Sequence, residues 1–431
     1  MRTFLLYFIA ILLFASCNEK KEEVVFNPSF KLIASEKFLF KSFVDCNMAE
    51  AWVGDTFRIF PGKYGEDHEW GYAHDLKFAS GKNADEVFLT EFKNFTEPSM
   101  PPNVPIGQKG LHGAVWFETI YQKPEDTTGK TLYAIYHNEN YPATLPYDKN
   151  TGEGYIDSLW PQGLTGLNSQ AAVCRIGVMK SIDGGHSWEN KGLFIEDLQS
   201  RMILKPHNNS LTFAGGVGDP SAVASGEYLY LFYGEYGYPG VYDGTKYDSI
   251  FEQGGQCISV ARIKIADLDN PQGKALRWGG STFSESYNGI GKPIASLQIP
   301  KEDGGGAASK RKSEFHWGPS VSWNTYLNCW VMMMGKVEDA SWVGSSIYIS
   351  FNKHKDLGEG NNSQDWTKPK LILDKPGHII WYPSLQPMNV EEDIKEKRTC
   401  LKLGKKARLF FKDMEGPKSQ YISEYMIEFE K

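Results

Sequence analysis

The chain alternates short apolar runs with clusters of glycine, proline, asparagine and aspartate. Within a run of about four to eight residues, hydrophobic positions either alternate with polar ones or follow one another without a break, which is typical of β-strands. No long run has the period of a helix. The 43 glycines and an aromatic content of 14% agree with many short strands joined by tight turns. The pattern predicts an all-β protein.

The strand-like runs recur in a fixed order. The segments 218–223, 318–323 and 382–387 share a proline-serine step, and each is followed by two further strand-like runs. An earlier set begins at 112–117 and continues with 132–139, 175–181 and 188–197. Four strands per repeating unit, with units of varying length, predict a β-propeller.

The ends of the chain bear on how such a ring would close. The last unit lacks a fourth strand, and the apolar run Phe30–Ala34 is predicted to supply it, because an open sheet edge invites pairing with other chains. Residues 36–105 would form the remaining unit, with 38–45 as its innermost strand. We expect a five-bladed β-propeller of four-stranded antiparallel blades in a single domain at 30–431. A sixth blade would require a further unit within 60–110.

The pattern of residues 1–17 predicts an export signal. Arg2 precedes an apolar core at Phe4–Phe14 that is too short for a confident membrane span, and two small residues precede Cys17. This ending resembles a bacterial lipobox, which implies cleavage before Cys17, its lipidation, and anchoring at a bacterial membrane (outer membrane, periplasmic or cell-surface face). The alternative is an ordinary signal peptide with a chance cysteine. Residues 18–29 are predicted to be a flexible tether.

Charge and cysteine spacing exclude some classes of function. A net charge of −7 without a long basic run gives no indication of nucleic-acid binding. The cysteines show no CxxC spacing, so no zinc site is expected, and the sequence does not decide whether those beyond Cys17 pair. No cofactor is required, although a channel cation such as Ca²⁺ is compatible with the sequence.

Carboxylates near strand ends are the candidate chemistry. Innermost propeller strands surround a central channel, and Asp219 lies at the start of one; His112, Trp317 and Tyr382 occupy equivalent places in other units. Glycosidic cleavage needs one acid to protonate the leaving oxygen and a second carboxylate as base or nucleophile. The candidate acids are Asp45, Asp55, Glu118, Glu139, Asp219 and Glu235.

Two short motifs resemble known propeller families. The segment SIDGGHSW at 181–188 resembles the Asp-box of sialidase-type propellers, a structural motif. An early aspartate, an Asp-Pro step in the third unit and a carboxylate on a neighbouring strand resemble the five-bladed glycoside hydrolases of the arabinanase and xylosidase group. Asp45 followed by Gly54-Asp55-Thr56 is similar to a related propeller family that includes endo-D-arabinanases. In the former group, three carboxylates from blades one to three act as base, pKa-tuning acid and general acid.

The resemblance implies a monomeric glycoside hydrolase acting on a poly- or oligosaccharide. Asp45 is predicted as base or nucleophile, and Asp219 as the group that tunes its partner's pKa or stabilises the transition state. Glu139 is predicted as general acid, with Glu235 as the second choice. The residues predicted to contact the sugar are His112, His137, Trp317, Tyr382, Glu235 and Asp55. One alternative is a non-catalytic glycan-binding surface lipoprotein, which needs the aromatic residues but not converging acids. Another is a protein-interaction scaffold.

Overall fold

The computed structural model describes residues 26–39, 45–60, 77–89, 93–94, 114–140, 172–196, 213–236, 257–299, 314–337, 343–414 and 420–431. Across these ranges the chain forms β-strands almost throughout, with one short α-helix, α1 (Glu391–Lys395), and a few 3₁₀ turns. The predicted all-β class is confirmed. Cys17 and His112 lie outside the described residues. A helix of sufficient length and apolarity to cross a bilayer does not occur in the ranges given above.

Antiparallel pairing gathers the strands into five groups. The first contains β2 (Glu50–Val53), β3 (Thr56–Ile59), β4 (Lys77–Gly81) and β5 (Lys93–Asn94). The second contains β6 (Ala114–Gln122), β7 (Leu132–Asn140), β8 (Ala172–Ser181) and β9 (Glu189–Ile195). The third contains β10 (Phe213–Ser225), β11 (Tyr228–Glu235), β12 (Cys257–Lys264), β13 (Leu276–Trp278) and β14 (Phe283–Ser286), one strand more than predicted.

The remaining strands form two further groups. The fourth contains β15 (Phe315–Asn324), β16 (Cys329–Val337), β17 (Ser346–Asn352) and β18 (Lys370–Asp374). The fifth contains β19 (Ile380–Pro387), β21 (Lys406–Asp413), β22 (Gln420–Glu430) and β1 (Ser29–Leu39). Short parallel pairings join neighbouring groups: β10 with β8, and β20 (Lys402–Leu403) with β15.

The N-terminal strand closes the last group, as predicted. β1 pairs antiparallel with β22 from Ser29 opposite Glu430 to Leu39 opposite Ile422. The prediction was wrong about Phe38 and Leu39, which belong to this strand and not to the innermost strand of the first group. The edge of β22 still offers hydrogen-bonding groups at this point, so the extended chain continues along it beyond a bulge.

Buried hydroxyl groups link the innermost strands of neighbouring groups. In each link, a backbone N–H of one innermost strand or segment donates to a side-chain hydroxyl of the adjacent one. The bonds run from Ala222 N to Thr119 Oγ1 (3.1 Å), from Val321 N to Ser221 Oγ (2.9 Å) and from Met48 N to Ser384 Oγ (3.2 Å). They join the second group to the third, the third to the fourth, and the fifth to the first. This ring of inner strands makes the fold an all-β propeller.

Apolar side chains between adjacent sheets form the core. At 181–188, Asp183 Oδ1 accepts the backbone N–H groups of His186 and Ser187, both at 3.0 Å, and holds a tight turn. Trp188 then packs against Phe117, with ring centroids 4.8 Å apart. The five cysteines in the described ranges are buried, and none of them forms a disulfide.

Candidate active site

A backbone irregularity recurs in β10, β15 and β19. Asp219, Gly318 and Tyr382 have φ of 47°, 57° and 51°, each is followed by proline and serine, and each ladder shifts register there. A left-handed conformation is unfavourable for a residue with a side chain, and a following proline restricts it further. Such bulges redirect a side chain out of the ladder. Two of the three positions nevertheless carry a large or charged side chain, as functional sites often do.

We expect this backbone strain to lower the free energy of unfolding by a measurable amount. Tyr382→Gly should be about 1 kcal/mol more stable than Tyr382→Ala, because both remove the ring and only alanine resists the positive φ. Conversely, Gly318→Ala should lose about 1 kcal/mol. Among the described residues, the single atom within 4 Å of a Cβ at Gly318 is Tyr382 Cδ1, at 4.0 Å, so that loss would be conformational. Urea unfolding checks both differences, and equal stability of the glycine and alanine variants at Tyr382 would contradict the strain.

Three buried side chains from two neighbouring groups converge beside the bulge of β10. His137 Nδ1 on β7 lies 3.5 Å from Asp219 Oδ1 and 3.9 Å from Glu118 Oε1. Glu118 itself lies at the bulge of β6. The Tyr236 hydroxyl donates to Asp219 Oδ2. Among the described residues, Glu118 Oε1, Asp219 Oδ1 and both His137 ring nitrogens have no hydrogen-bond partner.

Burial and charge shift the protonation of this cluster. Burial, followed by the negative charge of Asp219, raises the pKa of Glu118 well above its usual value, although the backbone N–H of Asn47 opposes the shift. For His137, burial lowers the pKa, but the nearby carboxylate of Asp219 and then the charges of Glu139 and Asp45 outweigh burial, so the net pKa is raised. Its surroundings therefore favour the protonated form of Glu118, the form in which a carboxyl group can donate a proton.

A third carboxylate approaches from the first group. Lys412 Nζ donates to Asp45 Oδ1 at 2.5 Å; the lysine is buried and the aspartate is partly exposed. Burial, then the charges of Asp219, Asp45 and Glu118 in that order, raise the pKa of Tyr382 well above its usual value. The phenol therefore lies within the electrostatic field of all three acids. Asp45 lies in the segment before β2, whereas Glu118 and Asp219 lie on β6 and β10.

The pairing of Asp45 with Lys412 predicts an asymmetric response to substitution. Asp45→Asn should reduce the free energy of unfolding by about 3 kcal/mol, because it removes the carboxylate to which the buried Lys412 ammonium donates. Lys412→Met should change stability little, since Asp45 can be solvated. The double variant should recover most of the loss of Asp45→Asn. Urea unfolding of the four proteins measures the coupling, and strictly additive effects would contradict it.

Several residues predicted from the sequence lie in or beside the cluster. Asp219 and His137 are within it, although His137 lies between two carboxylates and not on an open sugar-binding surface. Glu139, near the end of β7, is close enough for its charge to act on both Glu118 and His137. Trp317 packs against Tyr382 with ring centroids 5.1 Å apart.

Two predicted residues lie away from the cluster. Glu235 is fully buried, forms an ion pair with Arg277 and accepts the N–H of Gly291 at 2.8 Å. Arg277 lies on β13 and reaches Glu235 because β13 pairs beside β12. The ion pair gives the Glu235 carboxylate a structural role. Asp55 lies in the turn between β2 and β3, where its exposed carboxylate is 3.4 Å from Lys397. Strand pairing places that turn at the end of the β2–β3 hairpin and not beside the bulges of the inner strands.

The sequence alone indicates no role for Glu118 or Lys412. Glu118 was among the candidate acids, and Thr119 after it corresponds to the serines of the proline-serine steps, since both hydroxyls accept an N–H from the next inner strand. That correspondence was a usable signal. No feature of the sequence indicated Lys412, because a lysine on the second strand of the last group becomes relevant only through its contact with Asp45.

The cluster has the donor atoms of a cation site. Glu118, His137 and Asp219 each offer one ligand atom, and these atoms lie within 4.8 Å of one another. Two carboxylate oxygens and an imidazole nitrogen suit a divalent metal ion. A bound cation would lower the pKa of Glu118 and remove the protonated acid, so acid chemistry and metal binding by Glu118 exclude each other.

No protein-family model and no curated protein matches the chain. It is similar in structure to an α-L-arabinofuranosidase from Lactobacillus brevis (TM-score 0.47, 10% identity, 89% of this chain and 90% of that one). It is also similar to an α-L-arabinanase of Cellvibrio cellulosa complexed with arabinohexaose (TM-score 0.43, 12% identity, 89% and 91%). A third similar structure is an arabinanase from Bacillus subtilis (TM-score 0.41, 10% identity, 91% and 96%). Because all these TM-scores are below 0.5, the propeller assignment rests on strand pairing.

Proposed function

We propose that the protein is a glycoside hydrolase that cleaves glycosidic bonds of a poly- or oligosaccharide with Asp45, Glu118 and Asp219. The observation that supports this most strongly is the convergence of two buried acids, Glu118 and Asp219, on His137, whose Nδ1 lies 3.9 Å and 3.5 Å from their carboxylate oxygens. Glycosidic cleavage requires a protonated acid and an ionised carboxylate near the same bond. We assign one propeller blade to each strand group, which gives five blades.

The electrostatics suggest a role for each acid. Glu118 is the proposed proton donor, because its pKa is raised and its Oε1 has no hydrogen-bond partner among the described residues. Asp219 is the proposed pKa-tuning group, since its charge contributes to that shift. Asp45 is the proposed base or nucleophile, being partly exposed and paired with a lysine. Glu139, the acid first predicted, remains the second candidate for proton donor.

Aromatic side chains beside Asp45 would bind the sugar. Trp381 is partly exposed, its ring centroid is 5.9 Å from that of Trp317, and Lys412 Nζ lies 5.2 Å from its centre. Tyr382 completes the group. Aromatic faces stack on the C–H surfaces of sugar rings, so Trp381 is the proposed platform.

A glycan screen with protein lacking residues 1–17 tests the proposal. The panel contains arabinans, xylans and galactans, and chromatography measures released oligosaccharides. Release by wild type but not by the triple variant Asp45→Asn, Glu118→Gln, Asp219→Asn would support hydrolysis. Release by both proteins would show that these acids are not the catalytic groups.

The aromatic group also favours a second candidate, glycan binding without catalysis. In that case wild type and triple variant would bind the same glycan with similar Kd in isothermal titration calorimetry, and neither would release product. Equal binding combined with hydrolysis by wild type alone supports the enzyme.

We also propose that Cys17 carries the lipid anchor, on the basis of the lipobox-like ending of residues 1–17. In bacteria fed a labelled fatty acid, wild type should incorporate the label and sediment with membranes. Cys17→Ala should do neither. Equal sedimentation of both proteins without labelling would argue against lipidation.

A further inference from the structure

Asn47 contacts the inner strands of all four other groups. Its backbone N–H donates to Glu118 Oε2 at 2.7 Å. Its side-chain nitrogen donates to the carbonyl oxygens of Pro319, at 3.1 Å, and Pro220, at 3.4 Å. Its side-chain oxygen lies 3.5 Å from the hydroxyl of Ser384, which accepts the N–H of the next residue, Met48. A side chain that reaches several inner strands in this way lies near the propeller axis.

The bonded groups belong to the candidate catalytic apparatus. Pro220 follows Asp219 in the strained bulge of β10, and Pro319 follows Gly318 in the equivalent bulge of β15. The Glu118 oxygen held by Asn47 is the one that does not face His137. Asp45, the third acid, lies two residues before Asn47 in the chain. One residue is therefore bonded to one acid, next to the bulge of the second and close in sequence to the third.

We infer that Asn47 is the positioning residue of this site, setting the separation of Glu118, Asp219 and Asp45 without touching the substrate. The inference rests on the proposed hydrolysis for its catalytic meaning. Positioning acts through geometry: displacement of reacting groups by about 1 Å can reduce turnover by about 100-fold. Asn47 is buried, so its amide bonds are not exchanged for bonds to water in the folded protein.

The test is Asn47→Ala in the full propeller, assayed below its melting temperature on the glycan hydrolysed by wild type. We expect kcat to fall by about 100-fold and KM to change by less than about threefold, since binding groups are untouched. In crystal structures of both proteins, the separation of 3.5 Å between His137 Nδ1 and Asp219 Oδ1 should lengthen in the variant.

Ser225→Ala is the matched control. Ser225 Oγ accepts the N–H of Leu357 at 3.0 Å, a buried bond that also joins β10 to the fourth group but at the other end of the strand. This variant should lose stability as Asn47→Ala does, yet keep kcat within about twofold of wild type. If kcat falls in proportion to the stability loss in both variants, Asn47 affects activity only through stability. That result would overturn the inference.

The two proposals fail in different ways. Unchanged kcat and unchanged cluster geometry in Asn47→Ala overturn positioning while hydrolysis stands. Hydrolysis by no form of the protein overturns the proposed function, and the crystallographic comparison still decides whether Asn47 sets the geometry. Should Asn47→Ala not fold, Asn47→Asp replaces it: the shape is kept, but an oxygen then faces the two proline carbonyls, and the same losses are expected.

Discussion

Glutamine in place of Glu118 is expected to lower kcat on the natural glycan by about 100- to 10,000-fold, the usual contribution of a positioned proton donor. The amide keeps the shape and the bond from Asn47 but cannot transfer a proton. On an aryl glycoside with an acidic phenol as leaving group, the loss should be much smaller, because that oxygen departs without protonation. Steady-state kinetics on both substrates measure the difference.

The pH dependence gives the same assignment a second readout. As a proton donor, Glu118 is active only while protonated, so its raised pKa extends activity toward alkaline pH. Asp219→Asn removes a charge that contributes to this raised pKa. The alkaline limb of the pH profile should therefore move to lower pH in that variant. A move to higher pH would contradict the role of Asp219.

Glu189→Gln provides the control for these measurements, since Glu189 is an exposed carboxylate on β9 paired with Lys191. Its kinetics should equal those of wild type. Equal losses on the natural and the aryl substrate in Glu118→Gln would contradict the proton-donor role and favour Glu139.

A buried acid outside the site should make the stability of the protein depend on pH. Glu50, the first residue of β2, is fully buried; its Oε2 accepts the N–H of Cys400 at 2.6 Å. Burial raises the pKa of Glu50 to about 8, although the nearby side-chain amide of Gln386, the hydrogen bond from the Cys400 N–H and the charge of Arg408 oppose the shift. The native state therefore keeps this proton to much higher pH than the unfolded chain does.

Glu50→Gln should be more stable than wild type at pH 9, and the two should converge near pH 4. Between the unfolded pKa of 4.5 and the folded pKa of about 8, the native state binds one proton more than the unfolded state. Stability from this group is thus complete below about pH 4.5 and falls by about 1.4 kcal/mol per pH unit as pH rises, up to about 5 kcal/mol. Glutamine mimics the protonated acid at every pH.

Urea unfolding at intervals from pH 4 to pH 9 measures this difference. Glu189→Gln again serves as control, and its stability should parallel that of wild type. Parallel curves for wild type and Glu50→Gln would mean that Glu50 does not change its protonation on unfolding, contrary to the expectation.

The sequence alone determined most of the strands and their order. β7, β8 and β9 fall where alternating apolar residues bounded by turn residues predicted them. The proline-serine steps located three inner strands, and Phe30–Ala34 was identified as the closing strand. These features are local, because side-chain alternation and turn chemistry depend on neighbours in the chain. Asp219 was found in the same way, through its place before a proline at the start of an inner strand.

Tertiary structure alone decided which acids share a site. Glu118 and Glu235 both stand on apolar strands, yet one faces His137 and Asp219 while the other is neutralised by Arg277. Asp45 gains its partner from Lys412, which is 367 positions later. The protonation of a carboxyl depends on burial and on charges within a few ångströms. Those distances are set by ring closure and strand register, which no short stretch of sequence contains.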